Sequence, residues 1–130
     1  MTFLFTREKR RIPDAELLVM QTVWDAPATL SIKQIIQKLQ ENGSQWGTST
    51  IRTLLDRLVK RNYLAVAKQG SERYYAVLVD EQTYLKQATS GFLSQHYKNS
   101  LFRLVSTLAD GRLSQEELQN LEDIVSKLEE

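Results

Sequence analysis

The sequence predicts a mainly α fold with a single small β-hairpin. Three observations carry this. Apolar residues recur at helical spacing in one segment after another; in the segment 48–61, Ile51, Leu54, Leu55, Leu58 and Val59 stand at i, i+3, i+4, i+7 and i+8. Two helix starts are spelled out as capping boxes, Ser31 with Gln34 and Ser114 with Glu117. The helical pattern breaks once for LAVAK-QGSE-RYYAVL, two β-prone runs around a turn. Three helices followed by a hairpin is the order of a winged helix-turn-helix. The predicted units are a basic arm over 1–12, a winged helix-turn-helix domain over 13–79 and a helical region over 80–130.

The arm carries Arg7, Lys9, Arg10 and Arg11 and is expected to be loosely held. A first helix is expected from Pro13 to Trp24, started by proline and by acidic first-turn residues Asp14 and Glu16. Leu17, Leu18, Met20, Val23 and Trp24 are its expected buried side, and Asp25-Ala26-Pro27 its stop. Ser31 opens the second helix, with Leu30 and Ile35 placed as a hydrophobic staple and Ile32, Ile35, Ile36 and Leu39 as the apolar stripe. Asn42-Gly43-Ser44 breaks it, and a short turn leads into the third helix from about Thr48. Asn62 is the expected C-cap. The hairpin runs Leu64–Lys68 and Arg73–Leu78, with Gly70 supplying the positive φ that a tight turn requires.

The polar face of the third helix has an unusual make-up. Ser49, Thr50 and Thr53 put short hydroxyls near its start; Arg52, Arg57, Lys60 and Arg61 put cations along it. A helix in the DNA major groove needs that division: small groups to approach bases, cations to meet phosphates. Lys68 and Arg73 flank the hairpin tip, in reach of phosphates. An ordinary charged surface helix is the plain alternative, and the hairpin that follows shifts the balance toward DNA.

Beyond Asp80 the pattern is helical throughout. One helix runs to about Tyr97 with Tyr84, Leu85, Ala88 and Phe92 on a stripe and Leu93 and Tyr97 beside it. A second begins at Asn99 or Ser100 and stops at Asp110-Gly111, and the last carries Leu118, Leu121, Val125 and Leu128 as an a/d-like seam. About 50 residues are marginal as an independent fold, so these stripes need a partner. Packing on a second copy is preferred over packing back on the winged domain. The expected dimerisation residues are Phe92, Tyr97, Leu101, Phe102, Val105, Leu108, Leu118, Leu121, Val125 and Leu128. A two-fold dimer reads two half-sites about 34 Å apart or a multiple of that.

Composition narrows the classes. Hydrophobic content of 42% and charged content of 25% are those of a globular protein. Residues 1–80 hold 12 Lys/Arg against 8 Asp/Glu, and residues 81–130 hold 5 against 8. The basic part suits a polyanion and the acidic part another task. No cysteine is present, which excludes disulfides and thiolate metal sites and suits the cytoplasm. No apolar run approaches the roughly 20 residues of a membrane helix, and MTFLFTREKRR has its apolar and basic pieces in the wrong order for a secretory signal. His96 is the sole histidine and has no sequence-local carboxylate partner, and no phosphate loop is seen. An enzyme is not expected, nor is a cofactor or a metal.

The chain resembles the penicillinase-repressor family of bacterial transcription regulators (BlaI/MecI/CopY type). The resemblance runs from about Ile12 to Glu130: IPDAELLVMQTVW, the third-helix segment TSTIRTLLDRLVKRNYL, the wing KQGSERYYAV and the tail GFLSQHYKNSLFRLVSTLADGRLSQEELQNL. It implies a homodimeric repressor that occludes a promoter at a dyad-symmetric double-stranded DNA operator. Ser49, Thr50 and Thr53 would then face bases, Arg52, Arg57 and Lys60 would lie nearer the backbone, and Lys68 and Arg73 would form the wing contact. It also implies a regulatory protease as a partner, yet the family's Asn-Phe cleavage pair is replaced here by Ser106-Thr107-Leu108-Ala109. The copper-responsive branch senses through cysteines, which this chain lacks. The rival reading is a winged-helix protein-interaction module without DNA binding. A small-molecule sensor with a pocket between winged domain and tail finds no polar constellation to support it.

Overall fold

The computed structural model describes residues 11–26, 28–111 and 113–129, with residues 128 and 129 described for their backbone only. Helices α1 (Asp14–Trp24), α2 (Ile32–Glu41) and α3 (Thr48–Lys60) pack around one core, with strand β1 (Leu30–Ser31) between the first two. Strands β2 (Leu64–Gln69) and β3 (Glu72–Val77) form the hairpin, and α4 (Glu81–Tyr97), α5 (Leu101–Ala109) and α6 (Gln115–Glu129) complete the chain. The winged helix-turn-helix followed by a helical tail is therefore the observed fold.

The expected punctuation is in place for α2. Ser31 Oγ accepts from the Gln34 N–H at 3.2 Å, and Gln34 Oε1 accepts from the Ser31 N–H at 2.9 Å. Ser31 also serves the sheet, because it pairs with Tyr74 while Leu30 pairs with Tyr75. That third strand makes the sheet order β1-β3-β2, all antiparallel. Two residues are too short for an alternating pattern to show in sequence, so β1 was not expected. Replacing Ser31 by alanine is predicted to cost about 1 kcal/mol of stability, read as a lower urea midpoint with an unchanged slope.

The hairpin register pairs Gln69 with Glu72, leaving Gly70 and Ser71 as a two-residue connection. Gly70 sits at φ +65°, the first-position glycine of a type II′ turn. At the end of α3 the C-cap is Arg61, one position earlier than expected, and Asn62 is the left-handed residue after it at φ +64°. Its turn lets the Tyr63 N–H reach the Leu58 carbonyl at 2.9 Å.

Helix α1 departs from its expected stripe. Leu18 is 52% exposed, whereas Glu16, Val19, Met20 and Val23 are buried. These four stand at i, i+3, i+4 and i+7, a regular stripe with a carboxylate at its head. The end of the arm departs too. Ile12 is fully buried in the core, and Arg11 pairs with Asp14 at 3.1 Å. Arg7, Lys9, Arg10 and the helix stop at Pro27 lie outside the described residues.

The boundary expected between 79 and 80 falls inside a packed unit. Tyr84, in the first turn of α4, is 3% exposed and belongs to the winged domain's core, with Ala88 packed against it. Asp80 caps α4 by accepting from the Thr83 N–H at 3.0 Å. Hydrogen bonds from Thr83, side chain and backbone, hold its carboxyl below the ordinary 3.8. The cap's contribution is thus present above that value and is lost as pH falls through the lower folded one.

In the tail, Ser114 and Glu117 form the second capping box, at 3.1 and 3.2 Å. Ser100 caps α5 by accepting from the Arg103 N–H at 3.2 Å. No residue of α5 is fully buried, although its apolar positions outnumber its polar ones.

Candidate nucleic-acid interface

The core fixes which face α3 presents. Ile51, Leu54, Leu55 and Leu58 are buried, so Ser49, Thr50, Arg52, Thr53, Arg57 and Lys60 are turned to solvent together. The helix begins at Gly47, whose lack of a side chain leaves no side-chain cap over the first N–H groups. The positive end of the helix dipole therefore opens on the same side as the hydroxyls.

Thr53 is more constrained than its sequence suggests. Its Oγ1 donates to the Ser49 carbonyl at 3.0 Å. With the proton engaged inside the helix, the hydroxyl offers outward only acceptor lone pairs and the γ-methyl. Such a group accepts from the amino group of adenine or cytosine, or packs on a thymine methyl. Ser49 and Thr50 are exposed hydroxyls near the same end of the helix.

The cations divide into two sets. Among the described residues, no ion pair engages Arg52, Arg57, Lys60 or Lys68. Arg73 Nη1 lies 3.7 Å from Asp56 Oδ1, which ties the wing to the exposed side of α3. Lys33 Nζ lies 3.6 Å from Glu72 Oε2, which ties the wing to α2. Lys68 and Arg73 are direct cross-strand partners. Like charges placed opposite one another destabilise a hairpin, and the Asp56 carboxylate beside Arg73 offsets part of that repulsion.

Arg61 stands apart from the other cations. Its Nε donates to Glu16 Oε1 at 2.8 Å, and the Glu16 side chain is 1% exposed. The guanidinium thus neutralises a carboxylate in the core rather than projecting freely from α3. By sequence alone Arg61 groups with the DNA-facing cations and Glu16 with ordinary first-turn acids. The missed signal was the stripe of Glu16 with Val19, Met20 and Val23, since a carboxylate at a core position requires a cation nearby. Asp56 and Lys33 were likewise missed as wing tethers.

Behind this surface sits an aromatic cluster. The Tyr84 ring lies 5.5 Å from Trp24 and 6.0 Å from Tyr63, centroid to centroid. Burial, with the neighbouring Tyr84, pushes the Tyr63 phenol up, so it is uncharged near neutrality. In the tail, Phe102 is 74% exposed and Phe92 47%. Tyr97, Leu101, Val105, Leu108, Leu118, Leu121 and Val125 are half-buried, and the Leu128 side chain lies outside the described residues. His96 is exposed and lies 4.8 Å from the Phe92 ring. No helix among the described residues is long and apolar enough to cross a membrane.

Comparison with known proteins agrees with this arrangement. Residues 12–127 match the family described as Penicillinase repressor. The penicillinase repressor of Bacillus licheniformis is 32% identical over 118 residues, covering 90% of this chain and 91% of that protein. The methicillin resistance regulatory protein MecI of Staphylococcus aureus (strain N315) is 31% identical over 117 residues, covering 89% and 94%. The solution structure of the DNA binding domain of the repressor BlaI superposes with a TM-score of 0.52 at 35% identity, covering 58% of this chain and 89% of that one. This chain belongs to the penicillinase repressor family.

Proposed function

We propose that this chain is a DNA-binding transcriptional repressor that acts in the cytoplasm as a homodimer. It places the two α3 helices of the dimer in successive major grooves of a dyad-symmetric operator and excludes polymerase from the promoter. The observation that carries the reading is the exposed face of α3, where three hydroxyls and three cations free of ion pairs among the described residues stand together beside a wing with paired cations. Ser49, Thr50 and Thr53 approach base edges; Arg52, Arg57, Lys60, Lys68 and Arg73 meet phosphates. Arg61 is assigned to the fold. The exposed apolar side chains of α4, α5 and α6, Phe92 and Phe102 foremost, form the dimer contact.

Selection from random duplexes tests this reading, which predicts an inverted repeat among the recovered sequences. Recovery of no common sequence would refute it. Against the selected site, Thr50→Ala is expected to lose about 1–3 kcal/mol of discrimination at one position of each half-site. Arg57→Ala and Lys60→Ala are expected to weaken binding to selected and scrambled duplexes alike. Each should reduce the slope of log affinity against log salt by about 0.9 per protomer. Unchanged slopes would remove these two residues from the phosphate contacts.

A further inference from the structure

The root of the tail is built into the winged domain, and Tyr84 is its one buried side chain there. Tyr84 is 3% exposed, its ring lies between Trp24 and Tyr63, and its Oη accepts from the Ile12 N–H at 3.3 Å. The segment leading into α4 is pinned on the same side. Trp24 Nε1 donates to the Val79 carbonyl at 2.9 Å, and the Tyr63 carbonyl accepts from the Leu78 N–H at 2.9 Å. Beyond Tyr84 only Ala88 of α4 packs against this core, and Leu85 and Phe92 are 48% and 47% exposed. The anchorage is therefore about one helical turn wide, at one end of a 17-residue helix.

Such an anchor acts as a pivot. From Tyr84 to Tyr97 the helix extends about 20 Å at 1.5 Å per residue, so a tilt of about 10° at Tyr84 displaces its far end by about 3.4 Å. That displacement equals about one base-pair step of DNA. At the far end two left-handed residues, Lys98 and Asn99, at φ +51° and +63°, end α4 and lead into α5. An error at the pivot is thus carried into the apolar region that meets the second copy.

We infer that Tyr84 is a specificity-determining positioning residue: its ring, locked between Trp24 and Tyr63, sets the angle of α4 and so the half-site spacing that the dimer accepts. This rests on the dimeric reading above. Tyr84 acts without touching DNA. It converts a sequence preference of one α3 helix into a preference for a particular distance and phase between two.

The test uses duplexes carrying two inverted copies of the half-site recovered by selection, with the central spacing changed by one and two base pairs in each direction, and a duplex with one half-site. Full-length wild-type protein is expected to lose at least about tenfold in affinity at a change of two base pairs. Tyr84→Ala is expected to vary by less than about threefold across the set, to bind the single half-site like wild type and to remain dimeric in sedimentation. Tyr84→Phe keeps the ring and should restore the wild-type profile. Should Tyr84→Ala lose single-half-site binding, Tyr84→Leu fills the core without ring stacking and carries the same comparison. A wild-type profile in both Tyr84→Ala and Tyr84→Leu overturns the inference while leaving the dimeric repressor intact. A monomeric wild type with a flat profile overturns both.

Discussion

Replacing Arg61 by alanine is expected to lower the free energy of unfolding by about 2–4 kcal/mol, the most damaging single change of a basic residue among the described residues. The reason lies in its partner rather than in Arg61 itself. Glu16 is 1% exposed and its Oε1 receives the guanidinium Nε at 2.8 Å, so removing the cation strands a carboxylate in the core. The Arg61 side chain is 38% exposed, which places the cost below the upper range for a fully enclosed pair. Exposed Arg52→Ala, by contrast, should stay within about 0.5 kcal/mol of wild type. Urea unfolding of both variants makes the comparison. Replacing Glu16 and Arg61 together by methionine should recover much of the loss, because no unpaired charge then remains. An Arg61→Ala midpoint equal to that of wild type would show that the pair does not support the fold. Loss of DNA binding in Arg61 variants is accordingly expected to follow unfolding and not the loss of a phosphate contact.

Phe102→Glu is expected to reduce affinity for a two-half-site operator by at least about a hundredfold, with single-half-site affinity unchanged. At 74% exposure the ring contributes little to the fold of one chain, so a charge there leaves the protomer intact. In the proposed dimer the same ring is covered, which is worth about 1.5–3 kcal/mol for a fully buried side chain of this size. Glutamate forfeits that gain and adds the cost of desolvating a charge on each protomer. Once the two winged domains are separate, each half-site is bound at its own weak affinity. Sedimentation of the variant should report a monomer. A variant that remains dimeric and binds the operator like wild type would remove Phe102 from the contact.

What was legible in the sequence was whatever is encoded locally. Ser31 with Gln34 and Ser114 with Glu117 mark helix starts through bonds spanning three residues, and both boxes are present. The stripe Ile51, Leu54, Leu55 and Leu58 fixes the buried side of α3 and hence the exposed candidate face, because a helix has only two sides to divide. Gly70 marks the hairpin turn through a conformation that other residues avoid. The features that escaped depend on partners distant in sequence. Glu16 reads as a first-turn acid until Arg61, 45 residues on, is seen beside it. Leu18 reads as core because it is leucine, yet the stripe headed by Glu16 turns it outward. Tyr84 lies on the tail's side of any boundary drawn from pattern, but Ile12, Trp24 and Tyr63 enclose it from three separate parts of the chain. Periodicity assigns a side chain to a face; it does not say which neighbour that face meets.

The central claim is sequence-specific binding of DNA by a dimer. Its most direct measurement is a titration of the full-length protein against duplex from the region upstream of its own coding sequence, with a scrambled duplex as control at one fixed physiological salt concentration. Binding at least about a thousandfold tighter to the upstream duplex, with two protomers per site, is the expected result. Equal and weak binding to both duplexes, with no common sequence recovered from random duplexes by the same protein, would contradict it.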